Sequence, residues 1–177
     1  LSIGNGAWDA PRTPMAVLLS TQLPVDPVAG DHRVLYVGDP RLLPVPAKEY
    51  QPGIAWAVVD VGDFDFTDRF PVPASGGDAA VEHALDLIAS GSTLRAGHLL
   101  APLGIRFIIV PLTDGVVSTV DDPLPLPEGL LAALSNQLDV GSVHGPPALD
   151  IFLNEAWFPA GAQLTGATAE ASRLAGD

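Results

Sequence analysis

The chain has no cysteine, and that one gap removes disulfides, thiol nucleophiles and thiolate metal sites together. It has a single lysine, Lys48, and only 8 Lys plus Arg against 21 Asp plus Glu, a net charge of −13. Such an excess repels polyanions, so nucleic acid and anionic lipid are poor partners. No apolar run approaches the roughly 20 residues needed to cross a bilayer, so nothing in these residues is expected to span a membrane. Nucleotide fingerprints are missing too. There is no Gly-x-Gly-x-x-Gly, no Walker-type Gly-Lys-Ser/Thr and no Gly-x-Ser-x-Gly elbow. The four histidines, His32, His83, His98 and His144, make no His-x-x-x-His pair. No catalytic residue, cofactor or metal is therefore assigned.

What the chain does have is a large apolar fraction, 47% of 177 residues, enough for the core of one domain. Leu1 is not an initiator and no leader pattern precedes it, so a longer or processed parent is expected. Apolar runs at 33–37, 54–59, 105–110 and 149–153 read as strands, and the third, IIV after Arg106-Phe107, suits burial on both sheet faces. Between them lie helical patterns at 13–21, at 78–90, from a cap at Ser92 towards Ala101, and from Pro127 to Leu138. Val81, Leu85 and Ile88 form one face of the second, and Gly91 stops it. The proline-rich connection at 40–52 reads as irregular. Strands alternating with helices predict a single layered α/β domain over 1–160. Its central sheet, mostly parallel or mixed, has four or more strands flanked by helices. Residues 161–177 read as a polar tail or frayed helix.

Three groups of side chains are candidates for chemistry. Asp63, Asp65 and Asp68 have the spacing of oxygen ligands for a hard cation. They lack the glycine and distal Glu of a calcium loop, and alternation with Phe also suits a strand edge, so no tight metal site is expected. Asp39 and Arg41 follow the first strand, where open α/β sheets place ligand crevices, and are candidates for binding sugar hydroxyls and an anion. The same pair also fits a turn opened by Asp39-Pro40 with a local ion pair. Trp8, Trp56 and Trp157 offer aromatic faces suited to a pyranose. Trp56 lies in a strand pattern and reads as core, which leaves Trp157 as the candidate, although its position after Asn154 also suits packing of a final turn.

Several segments, in order, resemble a known family. They are RVLYVGDPRLLP (33–44), GIAWAVVD (53–60), TLRAGHLLAPLGIRFIIVP (93–111), LLAALSNQLD (130–139) and LDIFLNEAWFP (149–159). Together they are similar to the extracytoplasmic portion of large polytopic family-2-type glycosyltransferases of bacterial cell-envelope assembly, of the high-GC Gram-positive type. The bias towards Ala, Gly, Pro, Val and Asp accords with a high-GC genome. The resemblance implies a domain on the outer side of the cell membrane, with transmembrane segments elsewhere in the parent. It implies a catalytic machinery in a separate cytoplasmic domain, whose motifs match no position here. The expected partner is a glycan or lipid-linked sugar. The alternatives are a self-sufficient α/β enzyme acting on a sugar or related polar metabolite near Asp39 and Arg41, and a protein-interaction module with an apolar surface patch.

Overall fold

The segment Ile105–Pro111 is the strand around which the rest is arranged. It pairs in parallel with Arg33–Gly38 (β1) and antiparallel with Leu149–Asn154. The structure, a computed structural model, describes residues 32–60, 70, 73–114, 117–119, 121–124, 126 and 129–159. Within them, β2 (Lys48–Gln51), β3 (Ile54–Asp60), β4 (Ile105–Pro111), β5 (Val140–Val143) and β6 (Leu149–Asn154) join β1 in one sheet. The order is β2-β3-β1-β4-β6-β5, and β1–β4 is the one parallel pair. The fold is α/β with a mixed sheet, and all four strands expected from apolar runs belong to it.

Two strands lie where the sequence pattern does not announce them. Residues 40–52 are not irregular throughout, because KEYQ forms β2 and hairpins onto β3. Pro52-Gly53 makes that turn, with Gly53 at φ 81°, a conformation glycine adopts without a Cβ clash. At the opposite edge β5, VGSV, pairs with β6.

Helix α1 (Gly76–Ala89) buries Val81, Ala84, Leu85 and Ile88, a stripe at i, i+3, i+4 and i+7. Ser75 caps it, and the Asp78 carboxylate reaches back to the Ser75 N–H at 2.9 Å. Its end is a Schellman turn: Gly91, at φ 66°, donates to the Ile88 carbonyl and Ser92 to that of Leu87. Ser92 does not cap the next helix, contrary to expectation. That helix, α2 (Ala96–Leu100), starts later and continues as a 3-10 turn (Ala101–Leu103) stopped by Gly104 at φ 75°. Helix α3 (Leu130–Ser135) is shorter than expected, ending before Leu138, which is 71% exposed rather than part of its buried face. Pro127, the 13–21 helix, Trp8, the Asp63, Asp65 and Asp68 group and the 161–177 tail lie outside the described residues.

All three helices of the described residues pack on one face of the sheet. Their core is Leu35, Val37, Trp56, Ile105, Ile108, Val110 and Phe152 from the strands, with Leu85, Ile88, Leu100 and Leu134 from the helices. Trp56 is core, as expected. The other face buries Val34, Tyr36, Ile109, Leu149 and Ile151. Ile108 and Ile109 thus face opposite ways, as the two-residue strand period requires.

Candidate functional site

A parity break at the start of β4 creates the most chemically distinct place on the described surface. Ile105 and Ile108 both face the helices, although alternation puts residues three apart on opposite faces. The register supplies the reason: Arg33 pairs with Ile105 but Val34 with Phe107, so Arg106 is an extra residue in a bulge. From Phe107 onward the alternation is reset, with Phe107 and Ile109 on the second face.

The bulge puts the Arg106 guanidinium over two rings, 4.9 Å from the Trp157 centroid and 5.3 Å from that of Phe107. His32, buried, lies tilted at 5.5 Å from Phe107 and edge-on at 5.9 Å from Trp157. Trp157 is held in place by its own Nε1–H, which donates to the Gly104 carbonyl at 3.1 Å. Asn154 sets the turn before it. Its Oδ1 accepts the Ala156 N–H at 3.0 Å, while Nδ2 donates to the Gly97 and Ile105 carbonyls at 3.0 and 2.8 Å. Next along, Phe158 is 60% exposed. Arg106 and Trp157 are both half-buried, so one cation and its neighbouring rings form a partly exposed cluster, here called the notch, at this end of the sheet.

Beside the notch, the N-terminus of α2 is capped from far along the chain. Gln137 Oε1 accepts the Ala96 N–H at 3.0 Å, and Asp139 accepts those of Gly97 and His98 at 3.0 and 2.9 Å. The His98 ring Nδ1 lies 2.6 Å from the same carboxylate. Burial pushes the Asp139 carboxyl up, but the His98 ring and the two N–H donors outweigh it and hold the group below its ordinary value. This carboxylate is a structural cap, and His98 is an exposed residue on its rim.

Asp39 and Arg41 are brought together, but with each other. Arg41 Nε and Nη2 donate to the two Asp39 carboxylate oxygens at 2.9 and 2.7 Å, and the Arg41 N–H adds a third bond at 2.9 Å. The Arg41 hydrogen bonds hold the Asp39 carboxyl below its ordinary value against the opposing effect of burial. The pair is a turn with a fork-to-fork ion pair, the second of the two arrangements its sequence allows. Lys48 pairs with Asp78 and lies over the Trp56 ring at 5.2 Å. Among the described residues no group of three or more His, Asp or Glu side chains is placed to hold a metal.

Asp39, Asp78 and Asp139 all have carboxyls held below their ordinary values, the Lys48 hydrogen bond being the largest cause at Asp78. The unfolded chain therefore takes up protons first as pH falls. The stability these groups contribute is complete above about pH 4 to 5 and is lost progressively below it. Urea midpoints measured from pH 7 to pH 3 should fall steeply below about pH 4. Asp139→Asn should be less stable at pH 7 and approach the parent at pH 3. A parent midpoint independent of pH would contradict these assignments.

Of the residues singled out in the sequence, Trp157 is in the notch, whereas Asp39 and Arg41 lie at the other end of β1. Arg106 and Phe158 are additions. A lone arginine in an otherwise apolar strand was the available signal for the first; nothing local marks the second. No family model, curated protein or solved structure matches the chain. The fold and the notch together define a mixed-sheet α/β domain with a cation-and-ring surface feature, and no helix among the described residues is long and apolar enough to cross a membrane.

Proposed function

We propose that this is a non-catalytic glycan-binding domain, the extracytoplasmic part of a family-2-like membrane glycosyltransferase of the cell envelope, which holds a glycan or lipid-linked acceptor. The observation that carries the binding role is the notch of Arg106 over the Trp157 ring, with exposed Phe158 the next residue along the chain. Guanidinium N–H groups suit sugar hydroxyls and oxyanions, and an exposed ring suits the C–H face of a pyranose. Two further arrangements accord with a non-catalytic role: the Asp39 and Asp139 carboxylates are both engaged in structural bonds. The parent and its location rest on the ordered segments from 33 to 159.

A glycan array probed with the purified domain tests the binding role. Retention of envelope-type glycans is expected, with Phe158→Ala weakening it by roughly 3- to 10-fold, the worth of one stacked ring. No retained glycan, or retention indifferent to both Phe158 and Arg106 substitutions, would remove the proposal. The parent's reading frame tests the other half. Flanking apolar spans of about 20 residues are expected, and a frame without them ends the membrane-glycosyltransferase reading.

The protein-interaction reading has one observation in its favour. Leu94 and Leu138, 52% and 71% exposed, lie side by side, with the Leu138 N–H donating to the Leu94 carbonyl at 2.8 Å. The enzyme reading loses its polar pair, because Asp39 and Arg41 are spent on each other.

A further inference from the structure

We infer that the notch selects acidic sugars, with Arg106 as the receptor for a carboxylate or phosphate oxyanion on the ligand. This rests on the glycan-binding reading and adds the charge of the ligand to it.

In a chain with 21 acidic and 8 basic residues, a carboxylate partner is easily found for most cations. Arg33 has Asp60, Arg41 has Asp39 and Lys48 has Asp78. Arg95, exposed, and Arg106 have no carboxylate partner among the described residues; Arg106 also has no hydrogen-bond acceptor there and lies over the two rings. It is not a solvated surface arginine either, since it is half-buried in the central strand between Ile105 and Phe107.

The second observation is the bulge. An inserted residue interrupts the β1–β4 ladder, a local cost that a plain strand avoids, and its effect is to re-aim one side chain. Without it, Arg106 and Phe107 point to opposite faces. With it, the guanidinium lies over Phe107 and Trp157. Ring contact stabilises the cation without using its in-plane N–H donors, which stay available as a fork.

A bidentate oxyanion is the group that matches such a fork, and partial burial strengthens the pairing relative to open water. Arg33 stands close by: a Cβ on Gly104 would lie 3.9 Å from Arg33 Cδ, and the Gly104 carbonyl is the acceptor for Trp157. Arg33 is paired with Asp60, so Arg106 supplies the unpaired positive charge. Phe158, exposed and next to Trp157 in the chain, is the ring offered to the ligand's pyranose. The overall charge of −13 disfavours long polyanions, which points to one acidic group per site.

The test compares methyl β-glucuronide, glucose 1-phosphate, neutral methyl β-glucoside and inorganic phosphate. Calorimetry gives the affinities, and indole N–H shifts in a Trp157→Phe comparison locate the site. The two acidic sugars should bind roughly 10- to 100-fold more tightly than the neutral one, the worth of a hydrogen-bonded charge pair. Which acidic sugar leads identifies the natural oxyanion as carboxylate or phosphate. Arg106→Gln should bring the acidic sugars down to the neutral level, and Arg106→Lys should recover only part, since it keeps the charge and loses the fork. Melting temperatures of both variants report whether the fold survives. Neutral and acidic sugars binding equally would overturn the acidic preference and leave the glycan reading standing. Phosphate alone binding as tightly as glucose 1-phosphate would overturn the sugar part. No binding by any of the four would end both.

Discussion

Gly97→Ala should lower the melting temperature by about 10 °C, even though alanine is the better helix former by up to ~1 kcal/mol. Gly97 lies in α2, where the helix meets its remote caps. A Cβ there would sit 2.7 Å from the Asp139 carbonyl oxygen and 2.8 Å from its Cγ, and closer still to Asn154 Oδ1. None of these atoms is free to retreat. The Asp139 carbonyl accepts the Glu155 N–H at 3.0 Å, and its carboxylate takes the Gly97 and His98 donors. Asn154 is tied to Ala156, to Ile105 and to Gly97 itself. Relief therefore requires moving α2 off its caps and breaking several buried hydrogen bonds, which costs on the order of 3 kcal/mol or more. Two other glycines give the contrast. Gly76→Ala meets nothing within 4 Å, and Gly141→Ala meets first the tip of exposed Glu155. Thermal melts should leave Gly76→Ala unchanged and cost Gly141→Ala little. A Gly97→Ala protein as stable as Gly76→Ala would mean that the cap cluster is looser than described.

That cluster also marks where sequence reading runs out. Strands β1, β3, β4 and β6 are visible as short apolar runs, because their signal is carried by the residues themselves. The Asp39-Pro40-Arg41 turn is visible for the same reason, its partners being two residues apart. Helix α2 is different. Its first donors are satisfied by Gln137 and Asp139, 41 and 42 residues away, so its start cannot be read from Ser92 or any other local cap. Strand β2 carries Lys48, Glu49 and Gln51 at an edge where little apolar surface is required, and its only local sign is the Pro52-Gly53 turn. Strand β5 contains Gly141 and Ser142 and borrows its order from β6.

The notch shows the same division. Trp157 stands out in the sequence as an aromatic side chain, but what it does depends on a bulge. An insertion of one residue in a strand leaves no mark in composition, and the run from Ile105 to Val110 reads as regular alternation or as uniform burial equally well. Only the register exposes Arg106 as the odd residue. Its isolation among apolar neighbours is a sequence signal that acquires meaning once Asp60, Asp39 and Asp78 are seen to be taken by other cations.

Ile109→Asp should abolish cooperative folding at neutral pH. Ile109 is fully buried in β4 and is paired on both sides, with Tyr36 of β1 and Ile151 of β6. Its neighbours on the second face are Val34, Tyr36, Leu149 and Ile151, none of which offers a positive charge. Replacing isoleucine removes about 2 to 5 kcal/mol of packing and transfer energy, on the scale of Ile→Ala changes. The carboxylate adds a penalty of at least several kcal/mol, whether it stays ionised without a partner or binds a proton to avoid the charge. A domain of this kind has roughly 5 to 15 kcal/mol in total, so the sum consumes most or all of it. Ile109→Val, which removes one methylene, should cost only about 1 kcal/mol and remain folded. Val143→Asp, at a 38% exposed position of edge strand β5, should be tolerated because water still reaches the charge. Far-UV circular dichroism and amide dispersion in a proton–nitrogen spectrum separate the three. An Ile109→Asp protein with native dispersion and a parental melting temperature would show that β4 does not lie at the centre of the sheet.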